Sequence, residues 1–273
     1  MNVYLGSAKW GWHEWAGSIY PLNADPKDFL YYYSRKFSTV ELNPTFYDED
    51  IGSSLKRWKR SVPEYFKFCP KFPSEITHEK FFDNCGPVTK RFLGYLDFLG
   101  DNLGISYIQL KPEYASFMYN NLLKYIEILP QKYPVSLELR GVWLKIPKLF
   151  ELIEFLKSHN IGIVIPDNIE SVVDLHKLEL TNNTVMVRFT AYNHKTDFTR
   201  IETYSALLEK WQRQGINDVY FFIHEFDGRY KVIDYAVNLF CEKGFNLVSC
   251  GYINKETIEA KKSGKKGSLN FNR

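Results

Sequence analysis

The sequence predicts an α/β protein folded as a single (β/α)8 barrel of the TIM type, and three observations lead there. Eight short β-branched or aromatic runs recur along the chain. Longer segments whose apolar residues repeat at helical spacing separate them. No G-x-G-x-x-G or G-x-x-x-x-G-K-[ST] run follows any strand, which removes the usual reason to prefer an open doubly wound sheet. The 273 residues also suit the usual size of one such barrel, about 250 residues. Residues 1–251 are read as the barrel and 252–273 as a short basic C-terminal extension.

Strands are expected at 3–6, 39–43, 66–71, 107–110, 135–140, 162–166, 185–189 and 218–223. After the first, Asp25-Pro26 offers a cap and a first-turn proline, and Phe29, Leu30, Tyr33 and Phe37 then share one helical face. Helices follow at 53–61, 88–99 and 119–129. Beyond Pro147, Leu149, Leu152, Ile153 and Leu156 repeat the spacing, and 169–178 is read as the next helix. Tyr204, Leu207, Leu208 and Trp211 form one further face, and Val232, Ile233, Ala236, Val237 and Phe240 the last.

Composition narrows the function classes. Hydrophobic residues at 45% and charged residues at 25% exclude disorder, a collagen repeat and a disulfide scaffold. The net charge of +3 is local. Lys255, Lys261, Lys262, Lys265, Lys266 and Arg273 face only Glu256 and Glu259, so the extension carries +4 and the body −1. A global basic field for nucleic acid is therefore not expected. Cys69, Cys85, Cys241 and Cys250 show no CxxC spacing, which fits a reducing compartment. With no signal-like start and no long uncharged stretch, a cytoplasmic protein without a membrane partner is expected.

The strands carry the chemistry. In 39–43, Val40 and Leu42 take one face while Thr39, Glu41 and Asn43 take the other. Val135, Leu137 and Leu139 oppose Ser136, Glu138 and Arg140; Phe66, Phe68 and Pro70 oppose Lys67, Cys69 and Lys71. Ile108 and Leu110 flank Gln109, and Val187 and Phe189 flank Arg188. The apolar sets must pack beneath helices, so the polar sets point into the lumen near its C-terminal mouth, where barrel active sites lie. Asp167 follows the sixth strand, and His224 and Glu225 follow the eighth.

These residues resemble the bacterial and archaeal YecE-like family, also called domain of unknown function 72. The likeness begins at Gly6 and KWGW (9–12), with Trp15, Gly17 and Tyr20-Pro21. It continues through ELNPTFY (41–47), KFPSEITH (71–78), QLKP (109–112), LELR (137–140), Trp143 and Arg188. The resemblance implies a TIM barrel and no established activity. This chain departs from the family pattern at three places. Phe189-Thr190-Ala191 stands for the usual Leu-His-Gly, Ile223-His224-Glu225 for an Asn-rich strand end, and Gly141 for the usual His after Arg140.

Lys71, Arg140 and Arg188 converge on the expected mouth, and arginine forks suit carboxylate or phosphate. Trp10, Trp12, Phe46, Tyr47 and Trp143 lie in loops beside it, placed either to stack on a ligand ring or to cap the barrel. The expected ligand is an anionic, ring-bearing molecule: a sugar phosphate, a nucleotide or a nucleic acid end. Glu41, Glu138 and His78 are the candidates for acid/base work, with Asn43, His78 and Gln109 orienting the ligand. Hydrolysis or isomerisation is expected, and no cofactor motif is evident. The alternative is a divalent metal held by Glu138, Asp167, His78 and His224 or Glu225, by analogy with xylose-isomerase-like barrels and endonuclease IV phosphodiesterases. A non-catalytic module using the tail on nucleic acid phosphates is a third reading. The bland reading is that Glu41, Glu138, Arg140 and Arg188 close a salt-bridge network that only rigidifies the barrel.

Overall fold

A computed structural model describes residues 1–47, 50–113, 115–167 and 179–248. All eight expected strands form: β1 (Asn2–Ser7), β2 (Thr39–Leu42), β3 (Lys67–Pro70), β4 (Ser106–Gln109), β5 (Val135–Glu138), β6 (Gly162–Asp167), β7 (Thr184–Thr190) and β8 (Asp218–His224). Their neighbours run β3-β2-β1-β8-β7-β6-β5-β4, all parallel. Two bridges, Phe68 to Leu103 and Lys71 to Tyr107, join β3 to β4 and close the ring. The predicted TIM-type barrel is thus present. A further strand, β9 (Asn246–Leu247), pairs with the start of β1, where β2 has not yet joined.

The helices are α1 (Phe29–Tyr33), α2 (Pro44–Tyr47), α3 (Gly52–Ser61), α4 (Gly86–Leu99), α5 (Ala115–Ile128), α6 (Leu149–Ser158), α7 (Thr196–Arg213) and α8 (Lys231–Glu242). Asp25 does cap the chain ahead of α1, accepting from Lys27 N. The helix expected at 169–178, Cys250 and the 252–273 extension lie outside the described residues. Among those described, no helix is long and apolar enough to cross a membrane.

Alternation sorts the strand residues as expected. Val40, Leu42, Phe68, Leu137, Val187 and Phe221 pack outward beneath the helices in one large cluster. A second cluster, Cys69, Ile105, Tyr107, Val164, Met186, Tyr220 and Phe222 with Tyr4, fills the lumen. Gly6 lets β1 approach β2, because a Cβ there would stand 1.9 Å from Thr39 O. Tyr33 of α1 stitches that junction, its hydroxyl accepting from Ser7 N (2.7 Å) and donating to Thr39 O (2.9 Å). Above the apolar lumen the inward positions turn polar, and the candidate residues sit there.

Candidate functional site

Two carboxylates lie at the bottom of the mouth. Glu41 of β2 and Glu138 of β5 are each only 1% exposed. Burying an ion unpaired costs several kcal/mol, and Arg188 of β7 meets that cost for both. Its Nε and NH2 donate to Glu41 Oε1 and Oε2 at 2.7 and 3.1 Å, and its NH1 donates to Glu138 Oε2 at 2.6 Å. Burial pushes the Glu41 carboxyl up, but Arg188 and His224 outweigh it and hold Glu41 well below the ordinary carboxylate range. The Arg188 fork is filled by the chain's own carboxylates, so its geometry is that of a brace rather than of an open anion clamp.

The brace extends to both sides. His224 Nε2 lies 2.8 Å from Glu41 Oε1. Asn43 donates to Glu41 Oε2 (3.2 Å) and to Ala8 O (3.1 Å). Gln109 of β4 donates to Glu138 Oε1 (2.9 Å) and accepts from Lys71 Nζ (2.8 Å). Arg140 stands 3.5 Å from Glu138 and keeps about a third of its side chain in solvent (32%). Tyr107 was missed in the sequence. Its hydroxyl donates to Asn43 Oδ1 (2.9 Å) and lies 3.3 Å from Glu41 Oε2, with its ring 5.1 Å from the Arg188 guanidinium. Its parity, shared with Gln109, was the available signal.

Lys71 differs from the other cations. It directly follows β3, is 7% exposed, and among the described residues makes no carboxylate ion pair. Its ammonium meets the neutral Gln109 amide and lies 3.8 Å from the centre of the Phe46 ring. The short α2 turn presents that ring, and Thr45 pins the turn by donating to Leu42 O and Lys71 O at 2.6 and 2.7 Å. Burial first, then Arg188, brings the Lys71 amine down to about 8. His78 lies beside it on a π-helical turn, Glu75–Glu79, a rare form frequent at functional sites. Its ring meets the Phe46 ring edge-on at 5.0 Å, and its Nδ1 is 2.6 Å from Thr77 Oγ1. Burial, then Lys71, Lys111 and Arg140, brings His78 down to about 4, so its imidazole is neutral near pH 7. The next residues, Phe81 and Phe82, both take positive φ (49° and 66°), a strained conformation for bulky side chains.

Several candidates fall elsewhere. Trp143 is fully buried and donates to Lys111 O (2.9 Å), so it caps the barrel and offers no stacking face. Trp10 packs edge-on against Trp58, and Lys9 covers Trp12 at 3.5 Å. Tyr47 is 78% exposed. The alternative metal ligands are not brought together. Asp167 pairs with Arg200 (2.8 Å), His224 with Glu41, and Glu138 with Arg188. Glu225 accepts from Ile233 N (2.8 Å) at the first turn of α8. Among the described residues no three His, Cys, Asp or Glu side chains are grouped to hold a metal ion.

A hollow of about 530 Å³ lies between the loops after β7 and β8, lined by Tyr192, His194, Asp197, Glu225 and Arg229 among others. Barrels often bind phosphate there. Here Asp197 already takes the Tyr192 and His194 amides (3.0 Å each), and Glu225 takes the α8 amide. Built-in carboxylates occupy the donors that a phosphate would need.

Comparison with known proteins agrees with this architecture. The family model described as "Protein of unknown function DUF72" matches residues 4–236. The UPF0759 protein YecE of Escherichia coli K12 is 26% identical over 139 residues, which is 50% of this chain and 48% of that protein. YunF of Bacillus subtilis 168 is 35% identical over 69 residues, covering 25% of this chain and 23% of YunF. The chain therefore spans about half the length, or less, of the curated relatives it matches. Among solved structures, a DUF72 family protein of Thermotoga maritima MSB8 superposes with a TM-score of 0.69 at 22% identity, covering 89% of this chain and 99% of that one. One from Enterococcus faecalis V583 gives 0.67 at 19% identity, covering 90% and 96%.

Proposed function

Since the chain belongs to the DUF72 family, whose description names no reaction, we propose a function from the mouth alone: it binds an anionic, ring-bearing small molecule and moves a proton on it, in an isomerisation or a hydrolysis. One observation carries this reading. Lys71 is a buried cation facing a neutral amide, with Arg140 and the neutral His78 beside it. A buried ammonium without a counter-ion is costly. An incoming phosphate or carboxylate between Lys71 and Arg140 supplies the missing charge.

The remaining groups take roles that follow from their partners. Glu41 and Glu138, tied to Arg188, are positioning residues. Glu41 fixes the His224 ring by its 2.8 Å contact, a pairing that orients an imidazole for proton transfer. His78 and His224 are then the acid/base pair, one neutral beside the cations and one beside a carboxylate. Phe46 and the exposed Tyr47 supply ring faces. Both carboxylates are already engaged by Arg188, which tells against their use as the acid and nucleophile of a glycosidic reaction.

Thermal-shift titration tests the reading. Inorganic phosphate and glucose 6-phosphate should raise the unfolding temperature where glucose does not. Arg140→Met should weaken that binding by about tenfold, equivalent to about 1.4 kcal/mol. Absence of any phosphate-dependent shift in the wild-type protein refutes it.

A further inference from the structure

Resting on the anion-binding reading, we propose that Lys71 is an amine nucleophile and that the substrate of this barrel is an anionic aldehyde or ketone, captured as an imine on Lys71 Nζ. Four features of its surroundings lead there. The side chain stands at the end of a strand, so its nitrogen is held by the barrel wall rather than by a loop. Its hydrogen-bond partner is the neutral Gln109 Oε1, and its flank is the Phe46 ring, so among the described residues no carboxylate pairs with it to lock it as an ammonium. Burial disfavours the protonated amine most, Arg188 repels its proton next, and Arg140 adds a smaller push against the attraction of Glu138 and Glu41. Desolvation and neighbouring cations are the two devices that turn lysine into a nucleophile. An ion-pairing lysine built only for charge would need neither.

The chemistry balances without an added oxidant or reductant. The ammonium first gives up a proton to solvent. The nitrogen lone pair then forms a bond to the carbonyl carbon while the C=O π pair moves to oxygen, which takes a proton. Nitrogen loses its second proton, and the carbinolamine oxygen takes one and leaves as water as C=N forms. The net change is amine plus carbonyl to imine plus one water. His78, neutral and packed against the same Phe46 ring that flanks Lys71, is the group assigned to relay these protons. Arg140 holds the substrate's anionic end. The protonated imine withdraws electrons from the adjacent carbon, which is the activation an isomerase acting next to a carbonyl requires.

Reductive trapping on the full chain tests this. Wild-type protein is incubated at pH 7.5 with pyridoxal 5′-phosphate or, separately, dihydroxyacetone phosphate. Sodium cyanoborohydride then delivers hydride to the imine carbon and fixes the label, which peptide mass spectrometry locates. Lys71 should be labelled about tenfold faster than the fully exposed Lys27, its internal control. Inorganic phosphate should suppress labelling at Lys71 and spare Lys27. Lys71→Arg, which keeps the cation, should retain phosphate-dependent stabilisation and lose the rapid label. Labelling of Lys71 no faster than Lys27, with phosphate still stabilising the protein, overturns the imine and leaves the anion site standing. Rapid labelling that phosphate does not suppress overturns the anionic carbonyl as substrate. No phosphate stabilisation and no rapid label removes both readings, and all these outcomes are read on the wild-type chain even if the variant does not fold.

Discussion

At the scale of single residues, two cations of the same mouth do opposite things to stability. Arg188 neutralises two carboxylates that are each 1% exposed. Arg188→Met leaves both charges buried and facing each other, and the expected cost is about 3–5 kcal/mol, read as a loss in urea-unfolding free energy. Lys71 carries the reverse sign. A folded amine brought down from 10.5 to about 8 means that its protonated form at pH 7 is held at a cost of about 3 kcal/mol. Lys71→Met removes that penalty and strands the Gln109 oxygen, which costs about 1 kcal/mol. The variant should therefore be more stable than wild type by about 2 kcal/mol at pH 7 while binding the anion more weakly. A site that destabilises its own fold is what a ligand-binding lysine predicts. If Lys71→Met proves less stable, Lys71 is a structural donor.

At the scale of elements, alternation along strands told most of the story. Glu41, Asn43, Lys71, Gln109, Glu138, Arg140 and Arg188 all come to the mouth because strand parity is a local property that the sequence states directly. What parity does not state is who pairs with whom. Arg188 reads as an anion fork until β2 and β5 are seen to bring Glu41 and Glu138 to its two sides. The short α2 helix and the π-helical turn were invisible because four or five residues carry too little periodicity. Trp143 could be read either as a stacking ring or as a cap, because a buried cap and an exposed platform share the same loop position. One departure from the family pattern has a local cause. Gly141, where the resemblance leads one to expect His, adopts φ +54°, and a Cβ there would stand 2.5 Å from Pro112 Cβ. Restoring the family residue should fail: left-handed strain plus overpacking predicts that Gly141→His loses about 2–4 kcal/mol in chemical denaturation. An unchanged midpoint would mean that the loop after β5 moves to admit a side chain.

At the scale of the whole molecule, the charge balance of the mouth should be legible in the pH dependence of folding and of anion binding. On the acid side, native His78 resists protonation down to about 4 while an unfolded histidine binds its proton near 6.5, so stability falls as pH drops through that window. Glu41 adds to the fall below 4.5, because the unfolded carboxyl takes a proton that the native one refuses. On the basic side, Lys71 gives a slope of the same sign from about 8 upward: the native amine has lost the proton that the unfolded one keeps, so stability rises with pH. The thiols of buried Cys85 and half-buried Cys241, pushed up from 9.0 to about 11 by desolvation, oppose it above pH 9. Anion binding isolates the lysine from this background. Sulfate is a suitable probe because it keeps its charge throughout the range. The rise in unfolding temperature that it causes should be largest at pH 7, where Lys71 is protonated, and should shrink as pH passes 8 and the cation discharges. Lys71→Met should show a smaller rise that does not change between pH 7 and 9. With ionic strength held constant to exclude screening, a sulfate increment that is equal at both pH values in the wild type would separate Lys71 from the anion and leave the Glu41–Arg188–Glu138 brace as a purely structural clasp.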